Sequence, residues 1–128
     1  MVDVNALKIL ARMAKNEDRT NARFQFKNKE GKVICSATTL EEIYNCVSKL
    51  DGETIYYHLH PDKAPINLGE MKDLAFYIHY VFGDVELSMK LYTIADKYKD
   101  DLNKLKIEVI NVLFTRLLNF SEISLIPD

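Results

Sequence analysis

The sequence predicts an α+β fold, a small three-stranded sheet made of a hairpin plus one later strand and packed against about five helices. Three observations carry that expectation. Apolar residues recur at helical spacing in several long segments. The run Arg23-Phe24-Gln25-Phe26-Lys27 alternates with period two just ahead of a turn sequence. The segment Thr54 to His60 is rich in β-branched and aromatic residues, the composition of a strand.

In chain order, a first helix is expected from about Val4 to Asn16, where Val4, Leu7, Ala11 and Ala14 recur at helical spacing and Asp3 can cap the start. After the strand 23–27, Asn28-Lys29-Glu30-Gly31 supplies turn chemistry, and Lys32-Val33-Ile34-Cys35-Ser36 returns as the second strand. Thr39-Leu40-Glu41-Glu42 is a capping box, in which the Thr hydroxyl and the Glu carboxylate satisfy each other's backbone donors. It opens a helix striped by Leu40, Ile43, Tyr44, Val47 and Leu50 and ended by Asp51-Gly52.

A third strand is expected over 54–60, with Ile55, Tyr57 and Leu59 on one face and Tyr56, His58 and His60 on the other. The loop Pro61 to Asn67 leads to a helix from about Gly69 to Phe82, striped by Met71, Leu74, Ala75 and Ile78 and closed by Gly83 as a left-handed cap. Asp84 starts the next helix, with Leu87, Leu91, Ile94, Ala95 and Tyr98 on one face. The last helix, Leu102 to about Phe120, is apolar over a wide arc. Leu105, Val109, Val112 and Leu113 lie on one side, and Ile107, Ile110, Phe114 and Leu118 on the other. Such a helix is either central to the fold or part of an interface.

With 128 residues, the chain suits one domain over 1–128. Hydrophobic residues at 48% and charged residues at 28% predict that it folds throughout, since disordered chains combine low hydrophobicity with high charge. Asp3 and Asn5 stand where a signal peptide would need a basic segment and an apolar run, and no stretch nears the ~20 apolar residues of a membrane span. A cytoplasmic location with no membrane partner is expected. Two cysteines, Cys35 and Cys46, with neither a CxxC pair nor the density of a secreted scaffold, read as buried free thiols. Charge is uneven: residues 1–32 hold eight cations against four acids, a net +4, so the remainder carries −6 of the total −2.

The order Phe24-Gln25-Phe26, Thr39-Leu40-Glu41-Glu42, Ile55-Tyr56-Tyr57-His58, Asp73-Leu74-Ala75-Phe76-Tyr77-Ile78 and Gly83-Asp84-Val85-Glu86-Leu87 resembles a small domain-of-unknown-function family. That family occurs in prokaryotes, archaea included, alone or beside glycosyltransferase-type domains. The resemblance spans about residues 22 to 95 and implies an α+β fold with no established activity. His58 and Asp73 are the polar positions that match it; where the family favours a tryptophan, this chain has Phe76-Tyr77.

Candidate chemistry is sparse. His58 and His60 alternate on the expected strand, so they could share a metal ion with Asp62 or His79 as a third donor, although structural histidines are the simpler reading. A His58–Asp73 pair could orient an imidazole for general-base work, but no serine or cysteine lies in a nucleophile elbow, and a hydrogen bond tying strand to helix explains the pair as well. Four glycines, all explicable as turns or caps, leave no phosphate-cradling loop. The sequence calls for no cofactor.

Lys8, Arg12, Lys15 and Arg19 recur on the polar side of the first helix, and Arg23 and Lys27 extend that stripe as a candidate anion-binding surface. A pI near 5.9 is far from that of a typical nucleic-acid binder, and charged helix faces are usually just solvated, so nucleic acid ranks low among partners. The middle of the chain is aromatic, with Tyr77 and Tyr80 at helical spacing as core or partner surface. The leading expectation is a non-enzymatic interaction or regulatory module, partnered by a protein or by itself. Ile107, Ile110, Phe114 and Leu118 would form its interface. A nucleic-acid or anionic-partner binder, and a small metal-dependent or hydrolytic activity around His58, follow as alternatives.

Overall fold

The structure, a computed structural model, describes residues 3–16, 23–59 and 73–127. Within them the order is α1 (Val4–Ala14), β1 (Phe24–Lys27), β2 (Val33–Ala37), α2 (Leu40–Lys49), α3 (Gly52–Tyr57), α4 (Leu74–Phe82), α5 (Val85–Lys97) and α6 (Leu102–Ile123). The fold is α+β as expected, but the described residues hold six helices and a two-stranded antiparallel sheet instead of three strands.

The hairpin pairs Phe24 with Ala37, Gln25 with Ser36 and Phe26 with Cys35, then slips so that Lys27 pairs with Val33. The slip leaves Ile34 as the extra residue of a bulge. Phe24 and Phe26 are fully buried, which is what the period-two pattern demanded of one face. Asn28 makes the turn, its side-chain oxygen accepting from the backbone N–H of Glu30 at 3.0 Å and of Lys32 at 2.9 Å. Gly31 completes it at φ 79°, a left-handed conformation open to glycine at little steric cost.

The expected third strand is the main correction. Residues 52–57 form α3, because Asp51 caps it by accepting from the Thr54 N–H at 2.8 Å and the Ile55 N–H bonds to the Asp51 carbonyl at 3.1 Å. Ile55, His58 and Leu59 are fully buried while Tyr57 is exposed, a spacing of three and four and not of two. β-branched and aromatic content suited a strand, but packing against α6 decided the matter, since that propensity is strongly context-dependent. Gly52, expected to end α2's helix, sits instead at the start of α3. A Cβ there would lie 2.1 Å from the Leu102 carbonyl oxygen, so the two helix starts approach this closely only over a glycine.

Two further expectations change. Cys35 and Cys46 are joined as a disulfide between β2 and α2, with Cα atoms 5.9 Å apart, so they are not free thiols. A bridge closing a loop of this size typically contributes ~2–4 kcal/mol. No spacing motif marks it, because a strand residue and a helix residue meet only after the hairpin folds onto α2. The expected helix from Gly69 begins at Leu74, since Asp73 is extended and caps it; positions 69–72 lie outside the described residues.

The capping box forms as read, with Thr39 Oγ accepting from the Glu42 N–H at 3.1 Å and Glu42 accepting from the Thr39 N–H at 3.2 Å. The Asp3, Asp84 and Asp101 side chains cap α1, α5 and α6, and Gly83 is left-handed at φ 70°. α6 packs against α1, α2, α3 and α5 and so occupies the middle of the helical layer. Leu105, Val109 and Leu113 on its inner face are fully buried, each stabilising the fold by about 1.5–3 kcal/mol. No helix among the described residues is long and apolar enough to cross a membrane.

Candidate interaction surface

The 22 residues of α6 make a rod about 33 Å long. Its inner stripe continues from Leu105, Val109 and Leu113 into Arg116, Phe120 and Ile123. The single cation on this buried line is fully engaged. Arg116 donates from Nε and Nη2 to the two carboxylate oxygens of Asp84, both at 2.8 Å, and its guanidinium lies 5.1 Å over the Phe120 ring. Burial works against its charge, but the Asp84 carboxylate overrides it and raises the Arg116 pKa. Asp84 at the same time caps α5 through the Leu87 N–H, so one carboxylate locks two helices together.

The opposite face is apolar too, and it meets water. Ile107 is 56% exposed, Phe114 50% and Leu118 47%, with Ile110 partly buried at one edge. The Phe114 ring lies 6.0 Å from the ring of Tyr44 on α2, which widens the stripe. These four residues, singled out in the sequence as a candidate interface, thus share one face of one helix.

His58 and Asp73 are brought close along the backbone by a 2.8 Å hydrogen bond from the Leu74 N–H to the His58 carbonyl. Their side chains bond in other directions. The His58 ring is buried against Phe24, Phe26 and Tyr57, and its Nε2 accepts from the Lys27 N–H at 3.0 Å. In that bond the imidazole acts where a further strand would, along the edge of β1. The Asp73 carboxylate caps α4 through the Phe76 N–H at 3.2 Å and accepts from the Tyr92 hydroxyl. Burial and that hydrogen bond raise the Tyr92 pKa well above the ordinary phenol range, so the hydroxyl keeps its proton. Among the described residues no three His, Cys, Asp or Glu side chains cluster to hold a metal; His60 lies outside them.

Of the candidate anion-binding residues, Arg12, Lys15 and Arg23 are exposed and Lys27 is half-buried. The Lys8 ammonium donates to the Ile126 carbonyl, just past the end of α6, and Arg19 lies outside the described residues. A cleft of about 460 Å³ opens between the hairpin turn and α3. It carries charges of both signs, with Lys29 paired to Glu53 across it at 2.7 Å, so it favours neither an anion nor a cation. Tyr80 is 71% exposed and stacks on Phe76, whereas Tyr77 is buried, with its hydroxyl pushed up to about 12 by burial and by Glu42.

Sequence reasoning missed Arg116 and Tyr92 as partners of the two capping aspartates. Arg116 did leave a signal, because a cation in register with Val109, Leu113 and Phe120 must find a buried counter-charge.

An α+β domain with an internally satisfied polar core and an apolar, water-facing central helix is the class this geometry defines. The chain belongs to a family of unknown function, DUF5752, whose sequence profile matches residues 21–126. No curated protein and no solved structure matches it.

Proposed function

We propose that this chain is a non-enzymatic protein-interaction or regulatory module whose recognition surface is the outer face of α6. One observation carries the reading: Ile107, Phe114 and Leu118 are each about half exposed and lie in line, on the face opposite fully buried Leu105, Val109 and Leu113. Single exposed apolar residues are ordinary, but a contiguous stripe of them marks a surface that a partner covers. The polar groups with chemical potential support the same view, since His58, Asp73, Asp84 and Arg116 are buried and serve caps, a strand edge and helix locking.

The test is a photoactivatable amino acid in place of Leu118 in the full chain, irradiated in its native cell. A discrete adduct with a protein is expected, and Phe114→Glu should abolish it. Finding no adduct, or one indifferent to Phe114→Glu, would remove the reading. A second reading, an anionic partner on the N-terminal cations, is favoured by the exposure of Arg12, Lys15 and Arg23. It requires salt-steep binding to a polyanion that is lost on reversing Arg12 and Arg23.

A further inference from the structure

Building on the outer face of α6 as an interaction surface, we propose that its occupant is a second copy of this chain. The second α6 lies antiparallel to the first, across a two-fold axis near the middle of the stripe. The spacing comes first. Ile107, Ile110, Phe114 and Leu118 step by three, four and four residues, the near-heptad rhythm of a seam between two helices. Asn103, Asn111 and Ser121 lie among them on the exposed face, and the charged Lys104 and Glu122 stand at its margin, so pairing the middle of the strip buries no charge.

Charge decides the direction. Lys104 and Glu122 are 18 residues apart, about five turns of helix, so they project along the same edge of the stripe, one near each end. The Lys104 ammonium lies 5.4 Å over the Tyr98 ring, on that same exposed margin. In an antiparallel pair Lys104 of one copy meets Glu122 of the second, and the two-fold axis repeats the contact. A parallel pair would place this edge of the two copies on opposite sides of the seam and form neither contact, and would align the helix dipoles unfavourably. Basic at one end and acidic at the other, the face is its own complement only when reversed. The same register lays Ile107 beside Leu118 of the second copy and brings the two Asn111 amides near the axis, where each can donate and accept.

Sedimentation velocity over a concentration series, on the full chain and three charge variants, tests the arrangement. Lys104→Glu alone and Glu122→Lys alone should each raise the dimer dissociation constant about tenfold, because each breaks two symmetry-related contacts. The double exchange should restore it. Single exchanges without effect on a dimer would overturn the antiparallel register. A chain monomeric at every concentration would overturn self-pairing while leaving the interaction surface to the cross-linking test, and a dimer that survives Phe114→Glu would overturn both.

Spin labels give the geometry independently, since both native cysteines are tied in the disulfide and leave no competing thiol. Labels at Asn103→Cys should lie about 30 Å apart or more, and labels at Asn111→Cys much closer. Short distances at both sites would mean a parallel pair and overturn the proposal.

Discussion

Leu113 is fully buried among neighbouring helices, whereas Phe114, the next residue along α6, keeps half of its surface in water. Both faces of the helix are apolar, and hydropathy alone ranks them together. They differ in what surrounds them. The inner face has helices α1, α2, α3 and α5 packed round it and a salt bridge within it; among the described residues the outer face has Tyr44 at one margin and Tyr98, under Lys104, at the other. An apolar residue stabilises the monomer in proportion to the area the rest of the chain covers. The uncovered half is left for association.

The sharpest break of this contrast is at Arg116. Arg116→Met removes one partner of a buried pair and leaves the Asp84 carboxylate unpaired, which should cost about 3–5 kcal/mol in urea unfolding. A loss below ~1 kcal/mol would show that water reaches the pair and that the inner face is less closed than described. Leu113→Ala follows, with an expected loss of about 2–5 kcal/mol from lost burial and the cavity left behind. Phe114→Ala, one residue away, should cost the isolated monomer under ~1 kcal/mol, close to the scale of surface substitutions. Equal losses at 113 and 114 would erase the distinction between the faces.

The smallest effect concerns the start of α2, the helix that lends Tyr44 to the outer face. Glu42 accepts from the Thr38 hydroxyl at 2.8 Å, the Thr38 N–H at 3.1 Å and the Thr39 N–H at 3.2 Å, and the Thr38 bonds chiefly hold its pKa below the usual 4.5. The ionised form is therefore favoured in the folded state. Its contribution is fully present above the unfolded pKa and is lost as pH falls below 4.5 through the depressed folded value. Glu42→Gln should flatten that part of the stability–pH curve, leaving the variant somewhat less stable than the native chain at neutral pH and level with it in acid, where Glu42 is protonated. An unchanged acid slope would show that the box does not hold the carboxylate.

Much of the fold was legible because its signals are local. Asp3, Thr39 with Glu42, Gly83 and Asp84 mark helix ends through contacts within a few residues, and each does so in the structure. Phe24 and Phe26 alternate with polar neighbours, and they face the core. Thr54 to Leu59 misled because its β-rich composition is a weak preference; the Asp51 cap, three residues from Thr54, is a local signal for a helix, whereas the close approach of Gly52 to Leu102 is a tertiary fact.

The sequence by itself determined the hairpin, the caps, the periods of the helices and the two-sided apolar character of residues 102–120, because chain neighbours alone set them. Only the tertiary structure decided that 52–57 is a helix, that Cys35 meets Cys46, that Arg116 pairs with Asp84 and Tyr92 with Asp73, and which face of α6 is covered. Each of these joins residues distant in sequence or depends on what packs against them, and local pattern carries no record of either.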